Sequence, residues 1–171
     1  MSDDPKHHNP NHHHTLPWLE RLAVRVPGYS GYRTGLDRRA ADVALREAIA
    51  HQLEQGIHAL EVAGRQCIDR EANTEAEALQ RIISHIRKVI SRVRQASSGV
   101  DQFYKSGEFR AARADALHAI DHEVLELAEE FAKLCGRTSS GKDWQPHVVK
   151  HLEEIERKLD ARSSHHSLAA E

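Results

Sequence analysis

Aromatic residues, cysteine and long apolar runs are all scarce in this sequence of 171 residues. Aromatics make up only 5% of the chain, a composition that disfavours β-sheet and favours helices with an aliphatic core. The two cysteines, Cys67 and Cys135, lie far apart and outside any C-x-x-C motif, which favours thiols in a reducing compartment over a disulfide scaffold. No apolar run is long enough to span a membrane, and the N-terminus lacks the apolar core of a signal peptide. We therefore predict a cytoplasmic protein.

The balance of charge is close to neutral. The formal net charge is −2 with histidine neutral, so bulk electrostatics favours neither nucleic acid nor a membrane as a partner. A partner of either kind requires a local patch of charge.

Apolar residues recur at helical spacing along most of the chain. A short helix is predicted from Leu16 to the turn at Pro27-Gly28, and a long one over residues 35–70. Two further seams are typical of coiled-coil packing. A fourth helix is predicted to open near Pro146. We predict an all-α protein, an antiparallel four-helix bundle with a short N-terminal helix and disordered termini. The seams of its last three helices are Leu79, Ile82, Ile86, Val89, Val93; Phe109, Ala116, Leu117, Ile120, Val124, Leu127, Phe131, Leu134; and Val148, Leu152, Ile155, Leu159.

Composition divides the chain into three parts. Residues 1–15 are polar and rich in proline and histidine, so we predict a disordered tail. Residues 16–162 form the bundle domain, and residues 163–171 lose helical periodicity and form a disordered C-terminal tail. No cofactor is predicted beyond weak binding of Zn²⁺ or Ni²⁺ by histidines, including the tail residues His7, His8, His12, His13 and His14.

Two pairs of histidines have the i,i+4 spacing that can chelate one metal ion. They are His118 and His122 on the third long helix, and His147 and His151 on the fourth. The alternative is that these are ordinary half-exposed side chains that flank the apolar seams, since His118 follows Leu117, and His147 and His151 precede Val148 and Leu152. A further grouping, with Cys67 and Cys135 near His147 at one pole of the bundle, lacks the paired ligands typical of structural zinc sites.

Charge is segregated between two helices. Residues 81–94 contain arginines and a lysine but no acid, whereas residues 121–130 contain acids but no base. One interpretation is that these neighbours match charges along their flanks. The other is that the basic helix 79–96 exposes a stripe that binds an anionic membrane, an acidic protein or, least of all, nucleic acid; the stripe comprises Arg81, His85, Lys88 and Arg92.

Two turns combine glycine with aromatic residues. Tyr29 and Tyr32 lie in the first, and Phe103 and Tyr104 lie in the second. We expect either a hydrophobic plug that closes the core or a surface that recognises a protein partner.

The opening of the chain resembles a family of uncharacterised bacterial all-helical proteins. The resemblance rests on Leu16-Pro-Trp-Leu-Glu-Arg-Leu, on the P-G-Y-x-G-Y turn that ends at Tyr32, and on the R-R-x-x-D-x-x-L-R run that begins at Arg38. A second block, Ile90-Ser-Arg-Val-Arg94 followed by a glycine and aromatic turn, is similar as well. The resemblance implies a bacterial helical protein and no particular activity.

No serine, cysteine or carboxylate pair has neighbours that would activate it, so the sequence favours a protein that is not an enzyme. Gly136-x-x-x-x-Gly141-Lys142 matches part of a phosphate-binding loop, but Asp143 replaces the required hydroxyl residue. We predict a helical scaffold or adaptor for a protein partner or for self-association. A metal-binding bundle and an anionic-membrane-binding protein are the alternatives.

Overall fold

The computed structural model describes residues 16–31, 35–95, 111–137 and 144–168, and every regular element within them is an α-helix. This confirms the all-α prediction for the described part of the chain. The predicted tail over residues 1–15 and the turn with Phe103 and Tyr104 lie outside it. The described helices are α1 (Leu16–Arg25), α2 (Gly35–Asp69), α3 (Asn73–Gln95), α4 (Ala111–Gly136) and α5 (Trp144–Leu168).

Helix α5 continues past its predicted end at residue 162 and stops at Leu168. The apolar seam of α5 ends near Leu159, but Arg162 occupies the next position of the same stripe and is buried. Beyond Arg162 the helix continues through Ser163 and Ser164, which are exposed and polar, so no apolar pattern marks this last stretch of α5.

A tight reversal joins α2 to α3. The N–H of Ala72 donates to the carbonyl of Cys67 at 2.8 Å, and the N–H of Glu71 donates to the carbonyl of Ile68 at 3.0 Å. This is the Schellman arrangement that closes many helices, usually with glycine in the left-handed position. Here Glu71 occupies that position with φ of 59°.

Consecutive long helices run antiparallel, whereas α2 and α4 lie side by side in the same direction. A Cβ atom on Gly56 would lie 2.7 Å from the ring of Phe131, so the middle of α2 meets the second half of α4. Nearer the start of both helices, Arg162 contacts both Asp42 and Asp121. Positions therefore advance together along α2 and α4.

Helix α3 packs against α2 and also touches α5. Contacts of His85 and Arg92 with Glu156, and of Arg92 with Asp160, show that α3 and α5 also advance in the same direction. The expectation that the basic helix lies beside the acidic one is therefore wrong. The acidic helix α4 packs against α1, α2 and α5 instead.

The core is aliphatic, with one large aromatic side chain at its centre. Phe131 is fully buried beside Gly56, and both lie among leucine, isoleucine and valine side chains from α2, α3, α4 and α5. Helix α1 adds Leu22, and the turn after α1 adds Val26 and Tyr29. No helix in the described residues has both the length and the hydropathy to cross a membrane.

Candidate functional site

A cluster of charged and polar side chains is buried near the N-terminal ends of α2 and α4. Its members come from the turn after α1, from α2, from α4 and from α5, and all are at most 7% exposed. Burial of charge is costly unless each group is paired and hydrogen-bonded. We call this the buried polar cluster: Tyr29, Asp42, Arg46, His118, Asp121 and Arg162.

Arg162 lies at the centre of the buried polar cluster. Its Nε donates to Asp121 Oδ1 at 2.6 Å, and its Nη2 lies 2.7 Å from Asp42 Oδ1. Arg46 donates from Nε to the other oxygen of Asp42 at 2.8 Å, and from Nη1 to the carbonyl of Val93 at 2.9 Å. The cluster therefore joins α2, α4 and α5 to the end of α3.

Tyr29 connects the turn after α1 to the same cluster. Its hydroxyl donates to Asp121 Oδ2 at 2.9 Å and lies 2.8 Å from His118 Nδ1. A phenol has a single proton to donate, so the contact with His118 requires that Nδ1 of the imidazole carry hydrogen and donate to the phenol oxygen. This pattern assigns the tautomer of His118.

Gly31 lets the turn after α1 pack closely against Leu19. Its φ is +79°, in the left-handed region, and a Cβ atom there would lie 2.8 Å from Leu19 Cδ1 and 3.4 Å from His118 Cε1. The second glycine of the P-G-Y-x-G-Y motif therefore has a physical reason, because other residues are strained at this φ and a Cβ atom would crowd Leu19 of α1.

Sequence analysis did not identify Asp42, Arg46, Asp121 and Arg162 as candidate site residues. The sequence did carry a signal. Asp42 and Arg46 are four residues apart and lie on the same side of α2 as its apolar residues. Arg162 likewise continues the stripe of α5 three residues after Leu159. Charged residues on an apolar stripe indicate that buried partners exist, but do not identify them.

His122, one turn after His118, contacts two residues of α1, Arg25 and Trp18. Its Nε2 lies 3.2 Å from Arg25 Nη1, and its ring meets Trp18 edge-on with centroids 4.8 Å apart. Arg25 also forms a two-pronged contact with Glu129, at 3.0 and 2.6 Å. Because a guanidinium can only donate, Nε2 of His122 accepts, and the proton of Nδ1 points towards Glu126 Oε2 at 3.4 Å.

The contact with Arg25 requires neutral His122. Burial lowers the pKa of this imidazole below its ordinary value, and the nearby cations Arg25 and Arg21 lower it further, against the opposing effect of Glu126 and Glu129. Because packing of α1 lowers the pKa of His122, protonation of the imidazole favours the form in which α1 is detached. Docking of α1 therefore weakens as pH falls through the ordinary imidazole pKa towards the lowered one.

The structure does not bring the four predicted metal ligands together. His118 and His122 contact Tyr29 and Arg25, whereas His151 faces Glu130, which lies eight residues beyond His122, or about 12 Å along α4. In the described part of the chain, no three His, Cys, Asp or Glu side chains are grouped so that they could hold a metal ion.

The two cysteines are also apart. Cys135 lies beside Gly56, about three turns of α2 before Cys67. Cys67 lies 3.7 Å from Glu75 at the start of α3. Burial raises the pKa of the Cys135 thiol to about 12, which suits an inert core residue.

Acids of α2 and α5 neutralise part of the basic helix α3, instead of the acids of α4 that the sequence suggested. Arg92 forms ion pairs with Glu156 and Asp160, and His85 Nε2 lies 3.1 Å from Glu156. The neighbouring arginines Arg87 and Arg94 pair with acids of α2. Arg81 and Lys88 are exposed and have no ion pair among the described residues.

The predicted aromatic surface has one described member, Tyr29, and that side chain is buried. Its ring packs against His118 and its hydroxyl belongs to the buried polar cluster, so Tyr29 closes the core. Tyr32, Phe103 and Tyr104 lie outside the described residues.

A groove of about 780 Å³ lies between α4 and α5, at the opposite end from the buried polar cluster. Two half-buried leucines, Leu127 and Leu134, form its apolar floor, and they are seven residues apart on α4. His147 and His151 line the α5 side. We call this the α4–α5 groove.

Positive charge around the α4–α5 groove is not balanced by its acids. Lys133, Arg137 and Lys150 line the groove and have no ion pair in the described residues. The three cations outnumber the two acids of the groove, Glu130 and Glu154. Glu130 lies 3.7 Å from His151, and Glu154 accepts a 2.9 Å hydrogen bond from Arg157, which lowers the pKa of Glu154.

Comparisons with protein-family models, curated proteins and solved structures return no match for this chain. The resemblance to a bacterial helical family therefore stays a prediction.

Proposed function

We propose that this chain is a non-enzymatic scaffold or adaptor, built as an antiparallel four-helix bundle, which binds a protein partner in the α4–α5 groove. The observation that carries the proposal is the unbalanced positive charge of Lys133, Arg137 and Lys150 around an apolar floor. Several other cations on the helix flanks are neutralised by a neighbouring helix, as Arg94 is by Glu47 and Glu54.

The rest of the molecule supports a rigid frame for such a surface. The buried polar cluster ties α2, α4 and α5 to the turn after α1, and its side chains are engaged with one another. Buried, fully paired polar groups restrict the ways in which helices can pack. A rigid groove loses little conformational entropy on binding, which favours affinity.

The proposal is tested by capture with a groove variant as the control. The full chain and the double variant K133E/K150E are immobilised side by side and exposed to a bacterial lysate. We expect a protein that the wild type retains and that K133E/K150E releases. If every retained protein binds both chains equally, and light scattering shows a monomer, the adaptor proposal fails.

A second candidate function, metal binding, has one specific observation in its favour. The Nε2 atom of His151 is buried without a hydrogen-bond partner, 3.7 Å from Glu130 Oε2, and His147 lies one turn earlier in the same groove. Imidazole and carboxylate are zinc ligands, and His residues at i,i+4 can share one ion. His147 would need to turn towards Glu130.

Zinc titration of the full chain, with the five tail histidines replaced by serine, tests this candidate. We expect one equivalent of Zn²⁺ to raise the melting temperature, and H147A/H151A to abolish that rise. The pair H118A/H122A is not a suitable control because both histidines hold α1. H58A provides an exposed histidine on α2 instead. A rise that survives H147A/H151A would refute the metal site.

A further inference from the structure

We infer that the occupant of the α4–α5 groove is an acidic amphipathic helix of a partner protein. This inference rests on the proposed adaptor function and adds the chemistry of the partner. Three features of the groove support it: the spacing of its apolar floor, the position of its cations and its concave shape.

The floor has helical spacing. Leu127 and Leu134 are separated by seven residues of α4, or about 10.5 Å along the helix axis. A partner helix packed along the groove presents apolar side chains at i and i+7 at that same separation, with i+3 or i+4 between them. An extended peptide presents side chains to one face every two residues, which fits this spacing less well.

The cations lie where the flanks of such a helix would be. Lys133 and Arg137 are one turn apart on α4, and Lys150 projects from α5 on the other side of the floor. A helix with glutamates on both flanks of its apolar stripe meets cations on both sides. Arg157 offsets the charge of Glu154, and the three cations outnumber Glu130, so the acids of the groove reduce this attraction without reversing it.

The shape of the groove favours a helix over a membrane. The two leucines lie between α4 and α5, and both are only half-buried, so they are accessible to a rod that enters between the helices. A bilayer is flat on this scale and would reach the cations without covering the leucines. An anionic membrane therefore serves as a competing outcome of the test.

The experiment measures binding of designed peptides to the full chain by fluorescence anisotropy. The main probe is a labelled peptide of three heptads with leucine at the apolar positions and glutamate on both flanks. Two controls keep the leucines: one has lysine in place of glutamate, and one has proline at its centre. Vesicles of phosphatidylcholine with phosphatidylserine are the fourth probe.

We expect the acidic helix to bind and both control peptides to bind at least about tenfold more weakly. Variants K133E and K150E should each raise Kd by about threefold, and together by about tenfold, as expected for ion pairs at a partly exposed surface. K88E is the matched control, because Lys88 is an exposed lysine on α3 that does not line the groove, and it should leave Kd unchanged. Added salt should weaken binding.

The inference is overturned if the basic peptide binds as well as the acidic one, if K88E weakens binding as much as K133E, or if only the vesicles bind. Its failure can be separated from failure of the adaptor proposal. If a lysate protein is lost from K133E/K150E while no designed peptide binds, the groove is a partner site for a different kind of segment. If neither assay responds to K133E/K150E, both proposals fail. Circular dichroism of each variant verifies that it is folded.

Discussion

Replacing Arg162 with methionine should be among the most damaging single changes in this protein. Arg162 is 3% exposed and bridges two aspartates, Asp42 and Asp121, that are fully buried. Methionine keeps most of the length and apolar volume of the side chain but removes the charge. The variant R162M leaves Asp121 with the hydroxyl of Tyr29, and Asp42 with Arg46.

The expected loss follows from the burial of the charges that remain. Removing one partner of a buried ion pair costs about 3–5 kcal/mol, because the charge that remains loses part of its compensation and still lies out of water. A domain has a total stability of about 5–15 kcal/mol, so R162M should remove a large part of it. The exposed pair Arg157–Glu154 provides the comparison, since Arg157 is 66% exposed and R157M should cost far less than R162M.

Urea denaturation followed by circular dichroism measures both variants. The double variant D121N/R162M completes a thermodynamic cycle, and it should be less destabilised than the sum of D121N and R162M by about 0.5–3 kcal/mol, because the two side chains are in direct contact. If R162M is no more destabilised than R157M, or if D121N and R162M are simply additive, the account of the buried polar cluster is wrong.

Three other perturbations test separate parts of the structure. Lowering pH from about 7 to about 5 should loosen α1, because His122 must be neutral to accept from Arg25; the indole N–H signal of Trp18 should shift over that range in the wild type and stay unchanged in H122N. G56A should destabilise the fold by about 1–3 kcal/mol in a urea titration, because its Cβ would lie 2.7 Å from the ring of Phe131. The same substitution should cost less when it is made in an F131L variant than in the wild type. E71G should raise the melting temperature by about 2–4 °C, because glycine accepts the left-handed φ of 59° that strains Glu71; an unchanged or lower value would contradict this reading of the turn.

The helices could be predicted from the sequence because their signals are local. The predicted helix over residues 35–70 matches α2, Gly35–Asp69, since apolar spacing and helix-forming residues act within a few turns. The end of α5 could not be predicted in the same way. Arg162 looks polar in the sequence, and only the positions of Asp42 and Asp121 on other helices explain why it is buried.

Pairing between helices was the part that local signals could not determine. The acids of α4 and the bases of α3 look complementary in sequence, yet Glu123 pairs with Lys158 and Glu129 with Arg25, while Arg94 pairs with α2. Exposed ion pairs contribute too little free energy to choose among helix arrangements. They form with whichever helix the apolar seams place alongside.

Buried charge has the specificity that exposed charge lacks. Arg162 can satisfy Asp42 and Asp121 together only when α2 and α4 lie side by side with these two positions level, and Arg46 reaches the carbonyl of Val93 only when α3 ends beside them. Any other order of the helices leaves at least one buried charge without its partner, at a cost larger than several surface ion pairs. The same residues carry part of the resemblance noted in the sequence, since Asp42 and Arg46 belong to its R-R-x-x-D-x-x-L-R run and Tyr29 to its turn. The motif is therefore explained by the packing of the helices, and the residues proposed to bind a partner lie at the other end of α4.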